Sequence, residues 1–307
     1  MSSFTSFLMS SWKLSMIANR RISSLTSRNM CLHTPLTVML DPLPAMTQLL
    51  DRFASYRIMN KLQNSLRDRG ICSPPYLEIN TSDQVEIRKA VEKKQLNYPL
   101  ICKTRVAHGS RSHEVSVVMS QFVLMLLCTP LNSWSICVWI PGPPCVLQSF
   151  VNHGAVLHKV FVVGEAHFTV ERPSLKNFPL GPCDRKTIFF NSHEVSKPES
   201  CSHLTALDDN TPRLPPPSGD VMVALVKELR AELGMALFGV DTIVNIHTRT
   251  LTIIDINIFP GYEGVPQFFS SLLSHIESVL KHRGTVPPPR EPSPLPVPPI
   301  CSRRSGF

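Results

Sequence analysis

The sequence predicts a mixed α/β chain of the α+β kind, with antiparallel sheets flanked by helices, and three observations point there. Segments with apolar residues at three- and four-residue spacing alternate with segments of period two, so helices and strands follow one another along the chain. The clearest strand pairs are joined by tight turns, at Gly164-Glu165 and at His247-Thr248-Arg249, which makes hairpins rather than the crossovers of a doubly wound sheet. No Gly-x-Gly-x-x-Gly or Walker lysine motif is present.

The elements follow in order. Leu49, Leu50, Phe53, Ile58, Leu62 and Leu66 predict one helix from Pro42 to about Arg69, stopped at Gly70. Ser73-Pro74-Pro75 breaks the chain before a short strand at 76–79, and Thr81 or Ser82 caps a helix running to about Lys94. Strands are expected at 98–104, 115–119, 145–150 and 157–163, the last paired with 166–170. Residues 171–217, dense in Pro, Ser and His, read as loop. Ser218-Gly219-Asp220 opens a helix with Val221, Leu225, Leu229 and Leu233 on one face, ended by Gly234. Strands at 238–245 and 251–257 form a second hairpin, and 267–281 is a closing helix.

Composition narrows the partners. The hydrophobic fraction of 43% over 307 residues fills a sizeable core, and a net charge of +8 suits anionic ligands. The basic residues are scattered among apolar strands with few aromatics nearby, which argues against a nucleic-acid groove. Nine Cys at no metal-ligand spacing read as reduced thiols, and a cytoplasmic protein is expected. Residues 1–36 lack Asp and Glu and are rich in Ser, the composition of a mitochondrial targeting segment as the alternative. Residues 122–140 carry no charge, but Pro130, Asn132 and two Ser interrupt them, so an apolar insertion is expected rather than a membrane span. Eight Pro between Pro287 and Pro299 predict an extended, disordered tail from 284 to 307.

The chemistry concentrates on the second hairpin. With its turn centred on Thr248, residues whose numbers sum to 496 face each other, which puts Asp241 opposite Asp255 with the Cβ atoms roughly 5 Å apart. Asn257 lies two residues on and projects to the same face. Opposed carboxylates repel unless a cation lies between them, and three hard oxygen donors in an apolar hairpin suit magnesium. The alternative is a solvent-facing polar stripe. Lys103, at the end of a buried strand, has no structural reason to be there.

The run Ile254-Asp255-Ile256-Asn257-Ile258-Phe259-Pro260-Gly261-Tyr262 resembles the metal-binding end of ATP-grasp enzymes, and other runs are more specific. Ile101-Cys102-Lys103-Thr104-Arg105-Val106-Ala107-His108-Gly109, Lys159-Val160-Phe161-Val162-Val163-Gly164-Glu165, Arg172-Pro173-Ser174-Leu175-Lys176-Asn177-Phe178 and Phe189-Phe190-Asn191-Ser192-His193 resemble the inositol 1,3,4-trisphosphate 5/6-kinase (inositol-tetrakisphosphate 1-kinase) family. The resemblance covers about residues 37–281. It implies an ATP-grasp fold, ATP as phosphoryl donor, magnesium, two ions per site, and inositol polyphosphates as substrates of a monomeric kinase. It places Arg52, Lys103, Gln148, Lys159, Ser174, Ser192 and Ser196 on ATP, with 148–159 as a linker strand around the adenine. His113, Lys159, Asn257 and Gly261 fall on the inositol phosphate, and Asp241, Asp255 and Asn257 on the metal. Arg172, Lys176, Arg185 and Lys197 are further candidate phosphate contacts. The family also implies an N-terminal α/β domain, for which residues 1–36 show no counterpart and whose loss would remove one wall of the substrate cleft. A catalytically weak nucleotide-binding protein and a carboxylate–amine ligase are the competing expectations.

Overall fold

The computed structural model describes residues 38–109, 112–120, 143–181, 186–206 and 213–284. The expectations for residues 1–36, for 122–140, for the proline-rich tail and for Arg185 lie outside the described residues. No helix among the described residues is long and apolar enough to cross a membrane.

Two five-stranded sheets form the frame. The first runs β1 (Ile71–Cys72), β10 (Leu251–Ile258), β9 (Leu237–Val244), β6 (Val156–Val163), β7 (Ala166–Pro173), with only the β1–β10 pair parallel. The second runs β2 (Tyr76–Ile79), β5 (Cys145–Ser149), β3 (Leu100–Thr104), β4 (Glu114–Val118), β8 (Ile188–Asn191), antiparallel throughout. The chain is therefore α+β with antiparallel sheets, as the hairpin turns imply.

Helices α1 (Leu43–Leu49), α2 (Arg52–Leu66) and α5 (Gly219–Leu233) cover one face of the first sheet. Tyr56, Met59, Leu62, Leu225 and Leu229 meet Val160, Val162, Phe238, Val240 and Ile253 there, all at most 3% exposed. Alternation along β6 and β9 then sends Lys159 and Asp241 to the opposite face. The far end of that face is closed by α6 (Phe268–Gly284), where Tyr262 stacks on Phe268 at 4.3 Å.

Four local expectations are corrected. The first helix is two, broken at Leu50–Asp51 because these residues bond to the loop after β3: Ala107 N–H donates to Leu50 O and Arg52 N–H to Arg105 O. Helix α3 (Gln84–Lys93) is capped by Asp83, whose Oδ1 accepts from Val85 and Glu86 N–H, and not by Thr81 or Ser82. The loop expected over 171–217 holds strand β8, a short helix α4 (Ser192–Val195) and a 3₁₀ turn at His203–Thr205. Residues 148–159 are not one linker strand. Gln148 ends β5 in the second sheet and Lys159 lies in β6 of the first, with Gly154 (φ 66°) and Ala155 (φ 57°) turning the chain between them.

Leu229 is fully buried between α2 and the first sheet. Leu229→Ala is expected to cost about 2–5 kcal/mol of unfolding free energy, read from the urea midpoint at unchanged slope.

Candidate functional site

The hairpin register explains how an aspartate pair reaches the cleft. Next to the turn Leu251 pairs with Val244 and Ile253 with Thr242, one residue out of the expected register. A bulge at Ile254 shifts the pairing, and beyond it Asp255 faces Asp241 and Asn257 faces Gly239. The consequence is a change of face. Leu251 and Ile253 point into the helical core, as do Ile256 and Ile258, so without the extra residue Asp255 would point there too. The opposition of Asp241 and Asp255 read from the sequence holds, but the bulge produces it.

Lys103 crosses from the second sheet to that bulge. Its Nζ donates to Ile254 O at 3.0 Å and lies 3.9 Å from Asp255 Oδ2, with the ammonium 5.6 Å from the centre of the Tyr56 ring. Lys159 stands 3.7 Å from Asp241 Oδ1. Two ammonium groups thus balance two carboxylates, so a cation is not the sole means of relieving the opposed charges. Both ion pairs are longer than hydrogen bonds, and Asp255 Oδ1 accepts from the Ile256 N–H at 3.1 Å. Burial pushes the Asp241 pKa above its ordinary value, Lys159 pulls it down and Asp255 pushes it up. The donor set fits magnesium: two carboxylates and the Asn257 amide, all hard oxygen ligands, with room left for phosphate oxygens.

The cleft between the sheets encloses about 1030 Å³, its open mouth included. One end is apolar, walled by Ile101, Val115, Phe150, Leu175 and Ile243, and the other holds the lysines, aspartates and His113. A second cavity shares His113, Lys159, His193, Asp241 and Asn257 with the first and extends to Gly261. A third, around Arg172, Ser196, Lys197 and Gly261, meets both at Lys159 and His193. Lys176 lines none of the three.

Several candidates hold the walls in place. The Arg52 guanidinium donates to the carbonyls of Thr104, Val106 and Ser112 at 2.7–3.0 Å, fixing the loop that carries His113. Gln148 Oε1 accepts from the Tyr56 hydroxyl. Ser174 Oγ is bonded to His153 Nε2 at 2.7 Å. Ser192 N–H donates to His113 O, tying α4 to the same loop, and Ser196 lines the cleft just beyond α4. Arg172 donates to Glu263 O at 2.7 Å and so anchors the segment carrying Gly261. Lys197 is paired with Glu194. Burial lowers the His113 pKa, and His193, Arg52 and Lys159 lower it further.

Sequence reasoning gave no role to three participants: His193, whose ring is 5.7 Å from that of His113, the buried His153, and the Ile254 carbonyl. A backbone acceptor exposed by a bulge has no residue signature, and a histidine in an apolar run reads as core.

A cleft between two antiparallel sheets, with paired acidic residues on one and a buried lysine on the other, defines an ATP-grasp domain. The family described as the inositol 1,3,4-trisphosphate 5/6-kinase ATP-grasp domain matches residues 65–278, and the chain belongs to that family. Its curated relatives include the inositol-tetrakisphosphate 1-kinases of Danio rerio and Xenopus laevis, each 50% identical over 247 residues that make up 80% of this chain and 59% of the relative. Inositol-tetrakisphosphate 1-kinase 3 of Arabidopsis thaliana is 35% identical over 82% of this chain and 68% of the relative. The chain thus spans about three fifths of the length of the two animal relatives.

The raised Asp241 pKa has a definite sign. Folding binds the Asp241 proton more tightly than the unfolded chain does, so this group's contribution to stability falls as pH rises from about its ordinary 3.8 through the folded value. Asp241→Asn in metal-free protein at neutral pH is expected to leave the thermal midpoint unchanged or higher, and to flatten that acid limb in a pH series of thermal melts.

Proposed function

We propose that this chain is the ATP-grasp catalytic part of an inositol polyphosphate kinase that uses magnesium ATP. The acceptor in this reading is the 1-hydroxyl of inositol 3,4,5,6-tetrakisphosphate, or the 5- or 6-hydroxyl of inositol 1,3,4-trisphosphate. Its main support is the Asp241–Asp255 pair in the cleft, where Asp241 also lines the second cavity and the third joins both at Lys159 and His193. A nucleotide fits the first, and a ligand carrying many phosphates fits the cavities bearing Lys159, His113, His193, Arg172 and Lys197. The names of the family and of its relatives support the same substrates.

Asp241, Asp255 and Asn257 would hold magnesium, two ions in this reading. The metal supplies neutralisation of the charge that develops on the β- and γ-phosphates. Lys103 is tied to Ile254 O and acts as a fixed positive charge beside the triphosphate. Lys159 is held to Asp241 only across 3.7 Å, so its ammonium can turn to a phosphate of either substrate. Arg52 keeps the loop of His113 over the junction. The acceptor oxygen forms its bond to the γ-phosphorus as the bond to the bridging oxygen breaks; ADP leaves with that bond's electron pair, and the acceptor hydroxyl's proton is released to solvent. The residues act by orientation and charge.

Purified protein is to be incubated with magnesium ATP and inositol 3,4,5,6-tetrakisphosphate, with ATP binding measured in parallel. Transfer is expected, and Asp255→Ala should reduce kcat/KM by about 1000-fold, the order of several kcal/mol of charge stabilisation. ATP binding without transfer would overturn the kinase reading, and absence of magnesium-dependent ATP binding would overturn the nucleotide site itself.

A further inference from the structure

The segment that crosses between the sheets is stitched by side chains to the stretch that follows β7. Asn152 Nδ2 donates to Phe178 O and its Oδ1 accepts from Phe178 N–H; Asn177 Oδ1 accepts from the N–H groups of His153 and Gly154. Ser174 N–H donates to Ala155 O. Within this stitching His153 is 4% exposed, with both ring nitrogens engaged: Nδ1 lies 2.7 Å from Val151 O and Nε2 2.7 Å from Ser174 Oγ.

The partners decide where the protons are. A carbonyl oxygen only accepts, so Nδ1 carries the ring proton. Burial holds the His153 pKa down at about 4, against the Val151 bond that raises it, so the ring is neutral at physiological pH and Nε2 is bare. The Ser174 hydroxyl must then donate its single proton to Nε2. Its lone pairs are left free to accept, and Ser174 is among the residues that line the cleft. We propose that His153 is a positioning residue that locks the Ser174 hydroxyl as an acceptor toward the cleft, selecting a hydroxyl donor of the nucleotide sugar. The inference rests on reading the cleft as a nucleotide site.

The place on the wall favours the sugar. Lys159 and Leu157 share a face of β6, Ser174 bonds across to Ala155 just before that strand, and Phe150 lies further back on the crossing segment. The order along the wall is metal corner, Leu157, Ser174, apolar slot. A nucleotide with its phosphates at Lys103 and Lys159 and its base among Ile101, Val115 and Phe150 brings its sugar to Ser174. A phosphate there would be repelled, because Ser174 has no proton to offer it.

Two measurements test this. At pH 7, ¹⁵N NMR of the whole chain should show His153 protonated at Nδ1 and bare at Nε2; the opposite tautomer would overturn the proposal, and this readout needs no variant. Equilibrium binding of ATP, 2′-deoxy-ATP and 3′-deoxy-ATP should show one deoxy analogue binding about fivefold more weakly than ATP, the order expected of one neutral hydrogen bond. Ser174→Ala should erase that ratio. His153→Gln, whose amide can either donate or accept, should shrink it, whereas a merely structural role would weaken ATP and both analogues equally. Equal binding of all three by the wild-type chain would sink the proposal and leave the nucleotide site standing; failure of the wild-type chain to bind any of them would sink the nucleotide reading instead.

Discussion

The Lys103 ammonium on the Ile254 carbonyl is the contact on which the site depends. A bulge leaves one residue outside the ladder, and in this hairpin it lies beside the paired aspartates. An orphaned carbonyl in a partly buried position is costly, and a charged donor from the facing sheet satisfies it. One bond therefore stabilises the bulge, puts Asp255 on the cleft side, and holds the two sheets at the spacing that makes a cleft. Lys103 is buried and still charged because Asp255 and that carbonyl lie beside it.

The same economy recurs around the cleft. Arg52 and Arg172 look like surface cations in a sequence, yet both are less than a tenth exposed and donate hydrogen bonds to backbone carbonyls of loops that line the cavities. Gly239 makes room for the segment after β10 by having no side chain: a Cβ there would come within 2.8 Å of Pro260 Cγ, and Pro260 precedes Gly261. Phe259 and Tyr262 hold positive φ in the same segment, steadied by the Tyr262 hydroxyl bond to Val162 O and by stacking on Phe268. The chain accepts local strain and a half-buried carboxylate at Asp241 where phosphate and metal chemistry would use them.

Much of this was legible in one dimension. Strand and helix positions followed from apolar period, because burial of one face imposes that period whatever the partner. The Asp-x-Asn run and the lone lysine in an apolar strand stood out because charge in apolar surroundings is expensive. The break at Leu50–Asp51 was not legible, since the apolar spacing runs through it and only the loop at 105–107 interrupts the helix. Strand β8 is only four residues, Ile188-Phe189-Phe190-Asn191, so although three are apolar the run is too short to show a period, and its pairing with β4 defines it.

By itself, then, the sequence determined the fold class, the family and the cast of charged residues, because these rest on residue type and spacing along the chain. Tertiary structure decided which side of the sheet Asp255 faces, that Lys103 bridges the sheets, that Arg52 and Arg172 brace loops, and which way the Ser174 proton points. Each of those depends on a partner far away in the chain whose position no local pattern records: a carbonyl freed by a bulge, a loop end, the second nitrogen of His153. Local sequence specifies what a residue can donate or accept. Only the folded chain brings the atom that makes it do one or the other.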